Sequence, residues 1–412
     1  MSTSVATYRP HSNARSLAPA DAYDRSVRRR VGITWSLLVL NVLTFVPHES
    51  VFPIPSAAGK AITQAALPAA LLVALTLNRR LLIRPNVFLC LVTLLAIEAI
   101  VTCFTAQYLR SAGYRTFRLV EFVAVLWLLS PYWGRRDLLL VRCHLKAMAV
   151  VLGSVLVGLM LGPGRARPEG RLSGAIWPIP ATQVAHYAAV TLGLVVVLWL
   201  GGHRRGRATM LTVVVTGIIL IMTHTRTALV GLIVGLLIAG LSMIVVKTRV
   251  RKLFAIGGAV VLIAVTTLSN IIISWLTRGE SGEQLTSLTG RTKFWGPLLA
   301  FPRDRFQEIF GFGLSNDSFN GQAIDSNWLT SYQDQGLFGV VVCAVILLFL
   351  FILAYLQPSG VRRAIALFLI TYCLMASFTE VGFTNASTYL LDLTLAASLL
   401  VPSAVKMTQY ED

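Results

Sequence analysis

Long apolar runs, repeated along the whole chain, constrain it more than any other feature. A helix needs roughly 20 apolar residues to cross the hydrocarbon core of a bilayer. Segments at 33–47, 58–77, 86–106, 117–133, 143–161, 180–200, 208–223, 227–246, 253–275, 335–356, 364–380 and 386–404 reach or approach that length. Charged residues are 13% of the 412, against about 25% in a soluble chain. In lipid each backbone N–H and C=O must be satisfied within its own segment, so such runs fold as helices. The expected fold is all-α, a polytopic transmembrane helix bundle with about 12 spans.

The chain accordingly divides into five parts. Residues 1–32 form a basic cytoplasmic tail, rich in Ser, Pro, Ala and Arg and read as disordered. Transmembrane helices 1–9 occupy 33–275, a large extracytoplasmic loop 276–334, helices 10–12 335–405, and a short cytoplasmic tail 406–412. No cleavable leader is expected, since the first apolar run follows a long polar stretch and further spans come after it. The cysteines Cys90, Cys103, Cys143, Cys343 and Cys373 fall in or beside apolar runs without metal-ligand spacing, and read as packing residues.

A net charge of +18 on a soluble chain would point to nucleic acid. Here the basic residues punctuate the spans instead. With both termini in the cytoplasm, that side receives the basic tail, Arg79/Arg80/Arg84, Arg135/Arg136/Arg142/Lys146, Arg204/Arg205/Arg207, Lys247/Arg249/Arg251/Lys252, Arg362/Arg363 and Lys406. This is the positive-inside pattern. It makes membrane lipid a partner and gives no reason to expect nucleic acid. Outer cations run against the rule and are candidates for binding: Lys60, Arg110, Arg115, Arg118, Arg165, Arg167, Arg171, Arg226, Arg278, Arg291, Lys293, Arg303 and Arg305.

Arg226 lies in Thr223-His-Thr-Arg-Thr227, between two apolar runs at the outer surface. It reads either as a snorkelling arginine or as a planar fork gripping a phosphate. Beyond Gly290, Arg291 precedes Trp295, which suits an interfacial anchor or a stacking surface for a sugar. Asn316, Asp317, Asn320, Asp325, Ser326 and Asn327 have side chains suited to sugar hydroxyls, or to an ordinary polar turn. Glu98, Glu121, Glu380 and Asp392 fall in predicted spans, where a carboxylate is costly and either functional or buried in an ion pair. Glu121 stands three residues from Arg118, the spacing of a helical pair. His224 flanks Arg226 and is a further candidate; His186 reads as a packed core histidine. GxxxxGK[ST], HExxH and a DxD pair for a metal-bound sugar nucleotide are absent.

Three features, in order, resemble the O-antigen ligase/polymerase family of bacterial membrane proteins that act on lipid-linked polysaccharide. They are His224-Thr-Arg-Thr-Ala-Leu-Val-Gly231; then Thr289-Gly-Arg-Thr-Lys-Phe-Trp295; then Gly311-Phe-Gly313, Asp325-Ser-Asn-Trp-Leu329 and Asp334-Gln-Gly-Leu-Phe-Gly339. Upstream, Arg171-Leu-Ser-Gly174 before a Pro-containing helix is also similar, so the likeness covers about 171–339. Many ligases of the family have a histidine in the third feature. Asp325 stands there in this chain, which leans towards the polymerases.

The resemblance implies a GT-C-like bundle whose large extracytoplasmic loop joins the ninth and tenth spans. It implies an inverting glycosyl transfer from a polyprenyl-diphosphate-linked oligosaccharide donor to a glycan or lipid-linked acceptor. The setting is the outer side of the bacterial cytoplasmic membrane, with neither metal nor cofactor. Catalysis would fall to Arg226 and Arg291 on the diphosphate and to Asp325 on the acceptor hydroxyl. Substrate binding would fall to Arg171, His224, Trp295, Ser326, Asn327 and Glu380. The rival reading from another class is a secondary transporter of a small solute or polysaccharide precursor. A topology reporter fused within residues 300–320 is expected to read as extracytoplasmic; a cytoplasmic signal would reverse the assigned orientation.

Overall fold

The computed structural model of the chain describes residues 14–46, 50–106, 109–135, 137–204, 206–244, 248, 250–252, 292–314, 318–319 and 321–402. The ninth expected span (253–275), Arg291 and the C-terminal tail from 403 lie outside them. The fold is 75% helix with almost no strand. In chain order the long helices are α1 (Ala14–Val42), α2 (Ser56–Leu77), α3 (Val87–Cys103), α4 (Leu109–Leu129), α5 (Leu139–Leu161), α6 (Ala181–Leu200), α7 (Arg207–Met222) and α8 (Arg226–Met243). Short helices α9 (Thr292–Leu299) and α10 (Arg305–Phe310) follow, then a two-stranded antiparallel hairpin, β1 (Ser318–Phe319) and β2 (Gln322–Ala323). Three more helices close the chain: α11 (Asn327–Leu356), α12 (Val361–Ala376) and α13 (Thr388–Leu400).

Among the described residues, α2, α5, α6, α8 and α11 are long and apolar enough to cross a membrane, and α3, α7 and α13 are shorter apolar helices. Their outward faces agree with a lipid setting. Leu72, Val150 and Met210 are 64%, 73% and 66% exposed, a surface that water would not tolerate over so many helices. α6 is the centre of the packing, with most of its side chains buried. Gly193 on α6 leaves the space that the Phe368 ring of α12 fills.

Contacts between helices join ends in an up-and-down order. At one end, Tyr132 donates to Leu77 O, Arg84 to Trp133 O and Pro402 O, Gln357 to Leu400 O, and Arg362 to Val401 O. The same end holds an ion-pair cluster of Asp24, Arg28, Arg135 and Asp137. Hydrogen bonds from Arg28 and Arg135 hold Asp24 below the usual carboxylate range. At the other end, Asn41 donates to Thr63 O, Gln183 to Val42 O, and the Val46 amide to Pro178 O.

Two boundaries differ from the sequence expectation. The expected disordered tail over 1–32 is helical from Ala14, and α1 runs unbroken into the first apolar run. Val27 and Val31 are buried, and the Asp24–Arg28–Arg135–Asp137 cluster fixes this end of α1 to the segment after α4. α4 starts at Leu109, not at 117, so Arg110, Arg115 and Arg118 ride on its first turns.

The segment expected as an outer loop carries α9, α10, the hairpin and the start of α11. Asp304 opens α10 with a capping box to Gln307. Arg303 stitches the segment to α11: its guanidinium donates to Tyr332 O (3.2 Å) and Gln333 Oε1 (2.8 Å), and lies 4.2 Å from the Tyr332 ring centroid. α11 itself kinks at Gly336, which has φ 61 and ψ −159. There two backbones cross. Phe312 N donates to Gln333 O (3.0 Å), and Gly313 N to Asp334 O (2.9 Å). A Cβ on Gly311 would overlap the Asp334 backbone, and one on Gly336 the Ile309 backbone. Left-handed φ and missing space together require glycine at both positions. Gly336→Ala is therefore expected to destabilise the protein by about 1–3 kcal/mol or more. The checks are thermal unfolding in detergent and faster trypsin cleavage within 292–314.

Candidate functional site

α7 and α8 are separated by a tight turn, and that turn begins the site. Thr223 closes α7 by donating to Leu220 O, His224 adopts a left-handed φ of 50, and Thr225 is extended before Arg226 opens α8. Arg171 lies across the turn. Its Nε donates to Thr223 O and its terminal nitrogen to Thr225 Oγ1, both at 3.2 Å, while Leu172 N donates to Met222 O. Arg171, His224 and Arg226 thus gather on one short piece of backbone. Arg226, half-buried, stands at the positive end of the α8 dipole.

The loop between α12 and α13 connects this turn to the start of α11. Thr227 Oγ1 lies 2.8 Å from Thr379 Oγ1, next to Glu380. From the other side, Asn327 N donates to Ser377 O and Trp328 Nε1 to Ser377 Oγ. The Asn327 carbonyl Oδ1 accepts the amides of Gly382 (3.2 Å) and Phe383 (2.8 Å). Ser326 and Asn327 are buried, at 3% and 1% exposure, and Asn327 holds this loop. Asp325, immediately before them, is half-buried.

Glu380 faces a cavity of about 580 Å³ built from the ends of α1, α2, α4 and α6 and the α12–α13 loop. Lys60, Arg115, Arg118, Gln183 and Asn385 also line it. Its walls are cross-linked. Arg118 donates to Asn41 Oδ1 (3.1 Å) and Asn41 O (2.8 Å), and Gln183 Oε1 accepts the Thr44 amide (2.9 Å). Arg226 and Asp325 are not among the residues lining this cavity; Thr379 and Glu380 stand between the two regions.

Beneath the cavity, three ionisable side chains meet in the core. His186 of α6 lines the cavity and places Nε2 2.9 Å from Asp392 Oδ2 of α13. His144 of α5 places Nε2 3.3 Å from Asp392 Oδ1. Trp35 of α1 donates from Nε1 to His144 Nδ1 at 3.3 Å. The two histidines are 2% and 1% exposed, and Asp392 is 1% exposed. Among the described residues no group of three such side chains could hold a metal ion.

No family model and no curated protein matches this chain.

The remaining expected site residues are accounted for as follows. Trp295 is half-buried on α9, and Arg291 lies outside the described residues. The structure puts Arg171 against the turn that carries His224 and Arg226, links that turn through Thr227 and Thr379 to the loop of Glu380, and ties the same loop to Asn327, next to Ser326; it adds a cationic cavity and a His–Asp–His cluster that sequence reasoning had not assembled. His186 reads from sequence as a core histidine, and its partners His144 and Asp392 come from two other helices. Removing the acceptor at position 327 is the direct test of the loop's anchor. Asn327→Ala strands two buried amides and is expected to cost about 1–3 kcal/mol, seen as a lower melting temperature and as protease cleavage within 377–387.

Proposed function

We propose that this chain is a membrane glycosyltransferase that polymerises, in preference to ligating, polyprenyl-diphosphate-linked glycan on the outer side of the bacterial cytoplasmic membrane. The proposed layout is a twelve-span GT-C-like bundle with both termini cytoplasmic. The end holding Arg28, Arg84, Arg135 and Arg362 is then cytoplasmic, in keeping with the positive-inside pattern. The opposite end, with the cavity and the Thr223–Thr227 turn, is then outside.

One observation carries the reading. Two arginines, Arg171 and Arg226, converge on a turn that joins the Glu380 loop through Thr227 and Thr379. Guanidinium groups at a helix start suit a diphosphate, whose charge grows as the sugar departs. In this reading Arg226 and Arg291 clamp the diphosphate while Arg171 fixes the turn that presents Arg226. Asp325 orients the acceptor hydroxyl. The polyprenyl tail lies against the apolar helix faces, and the cavity takes glycan.

The chemistry asked of the protein is modest: neutralise a leaving diphosphate and align a hydroxyl behind the anomeric carbon. Arg226→Ala and Arg291→Ala are each expected to abolish polymer while expression stays intact. Arg226→Lys is expected to lose most activity, because one ammonium cannot reproduce a bidentate fork. The decisive measurement is the cell-surface polysaccharide of a deletion strain. Loss of long chains with single repeats left on lipid supports a polymerase. Complete polymer retained on lipid shifts the assignment to a ligase.

A second reading, a proton-coupled secondary transporter, is favoured by Asp392 held between two histidines inside apolar helices. Unaltered glycans together with lost uptake of a solute would establish it instead.

A further inference from the structure

We propose that the cavity selects an acidic glycan, binding one sugar of the substrate by a carboxylate that Lys60, Arg115 and Arg118 hold. The proposal rests on the glycosyl-transfer reading and names the substrate class within it.

Three helices turn polar together at this one place. On α2, Lys60, Thr63 and Gln64 stand at i, i+3 and i+4, which is one face of the helix, and line the cavity. On α4, Ser111, Tyr114, Arg115 and Arg118 stand at i, i+3, i+4 and i+7 and line it too. α6 adds Thr182 and Gln183. Other faces of the same helices are apolar and exposed, as at Leu72 of α2 and Phe117 of α4. Polar faces are costly among apolar helices unless they meet polar partners. Their convergence on about 580 Å³ marks out a polar occupant. That volume falls within the range of sites for small organic ligands, about 300–1,000 Å³.

The lining sets the charge of that occupant. Lys60, Arg115 and Arg118 face a single carboxylate, Glu380. Charges of one sign between apolar walls focus their field, so the cavity favours an anion. The cations are also held in place. Arg118 donates to Asn41 Oδ1 and Asn41 O, and the Asn41 amide donates to Thr63 O. Asn41, 3% exposed, thereby ties α4 and α2 to α1. Arg115 stands on the Arg118 face of α4, and Lys60 stands on the Thr63 face of α2. Groups fixed before binding lose little freedom on meeting a ligand.

A sugar carboxylate suits this lining better than a diphosphate does. Glu380 would repel a multiply charged group, yet its oxygens can accept sugar hydroxyls. Gln64, Asn385, Ser111 and Thr182 bring amides and hydroxyls, the usual partners of sugar hydroxyls. Phe45 supplies an apolar wall on which the C–H face of a sugar ring can lie. Its ring is edge-on to Trp177, with centroids 5.1 Å apart, and occupies the space where a Cβ on Gly59 would be. Arg226, assigned to the diphosphate, is not among the lining residues. The lipid-linked leaving group and the acidic sugar thus have separate cationic sites.

The test uses the full chain in lipid nanodiscs and, as substrate, the lipid-linked glycan that accumulates in a deletion strain. Sugar analysis of that glycan is expected to find a carboxylate-bearing residue. Lys60→Gln is expected to raise KM for it about 3–5-fold, and Arg115→Gln about 10-fold or more, each with a smaller effect on kcat. Lys60→Arg keeps the charge and should stay near wild type. Inhibition by inorganic pyrophosphate should be the same in all of these variants as in wild type. A glycan without a carboxylate, or a wild-type KM in Lys60→Gln, overturns the proposal and leaves glycosyl transfer standing. Pyrophosphate inhibition that weakens in step with the rise in KM makes the cavity the diphosphate pocket, which also overturns it. Unaltered surface polysaccharide with no lipid-linked glycan in the deletion strain overturns both readings. Lys60 is exposed on α2, so its replacement removes charge without opening the core, and it decides alone should Arg115→Gln aggregate.

Discussion

The loop between α12 and α13 is held by hydrogen bonds that water cannot replace, and the arrangement of the end that holds the cavity depends on them. Asn327 accepts two of its amides, Ser377 O takes the Asn327 amide, and Thr379 meets Thr227. A buried, unmet amide is expensive, so these contacts fix the loop with respect to both α8 and α11. The loop in turn carries Glu380 to the cavity and the Ser387 cap to the start of α13, and α13 brings Asp392 to the histidines. Arg226, Glu380 and His186 therefore share one mechanical frame although they stand on different elements.

The same economy appears at the arginines. Arg171, Arg118 and Arg303 each bind backbone carbonyls or side-chain oxygens of a distant segment. Each joins a loop or helix start to another element at the end opposite the Asp24–Arg135 cluster. A guanidinium is well suited to this because several donors in one plane bridge more than one acceptor. Cations at that end thus tie the chain to itself, and Lys60, Arg115 and Arg118 give the cavity a positively charged wall.

Much of the architecture is legible in the apolar runs, because lipid leaves the backbone no choice but helix. The described helices follow the expected spans closely. Departures occur where a polar contact extends a helix, as Asp24 and Arg28 do for α1. The site was legible in part. The Thr223–Thr227 turn and Gly311-Phe-Gly313 stand out as local strings, and Glu380 stands out as a carboxylate in an apolar run. The cavity does not, because Lys60, Arg118 and Gln183 belong to three helices and no spacing relates them. His144, His186 and Asp392 are single polar residues in three separate runs, so only the packing of α5, α6 and α13 reveals them as a cluster. Asn327 illustrates the opposite error: an amide in a polar string reads as a sugar ligand, yet its carbonyl is turned inward.

The crossing at Gly311 and Gly336 has a consequence for how such a chain can diversify. Backbone hydrogen bonds from Phe312 and Gly313 to Gln333 and Asp334 lock the two strands of chain at their point of contact. The β1–β2 hairpin lies between the two arms of this clasp, ahead of the start of α11. Residues of that hairpin can be exchanged without touching Asn327, which lies on α11 and holds the α12–α13 loop. The hairpin can then vary while the bundle and its ionisable core stay untouched.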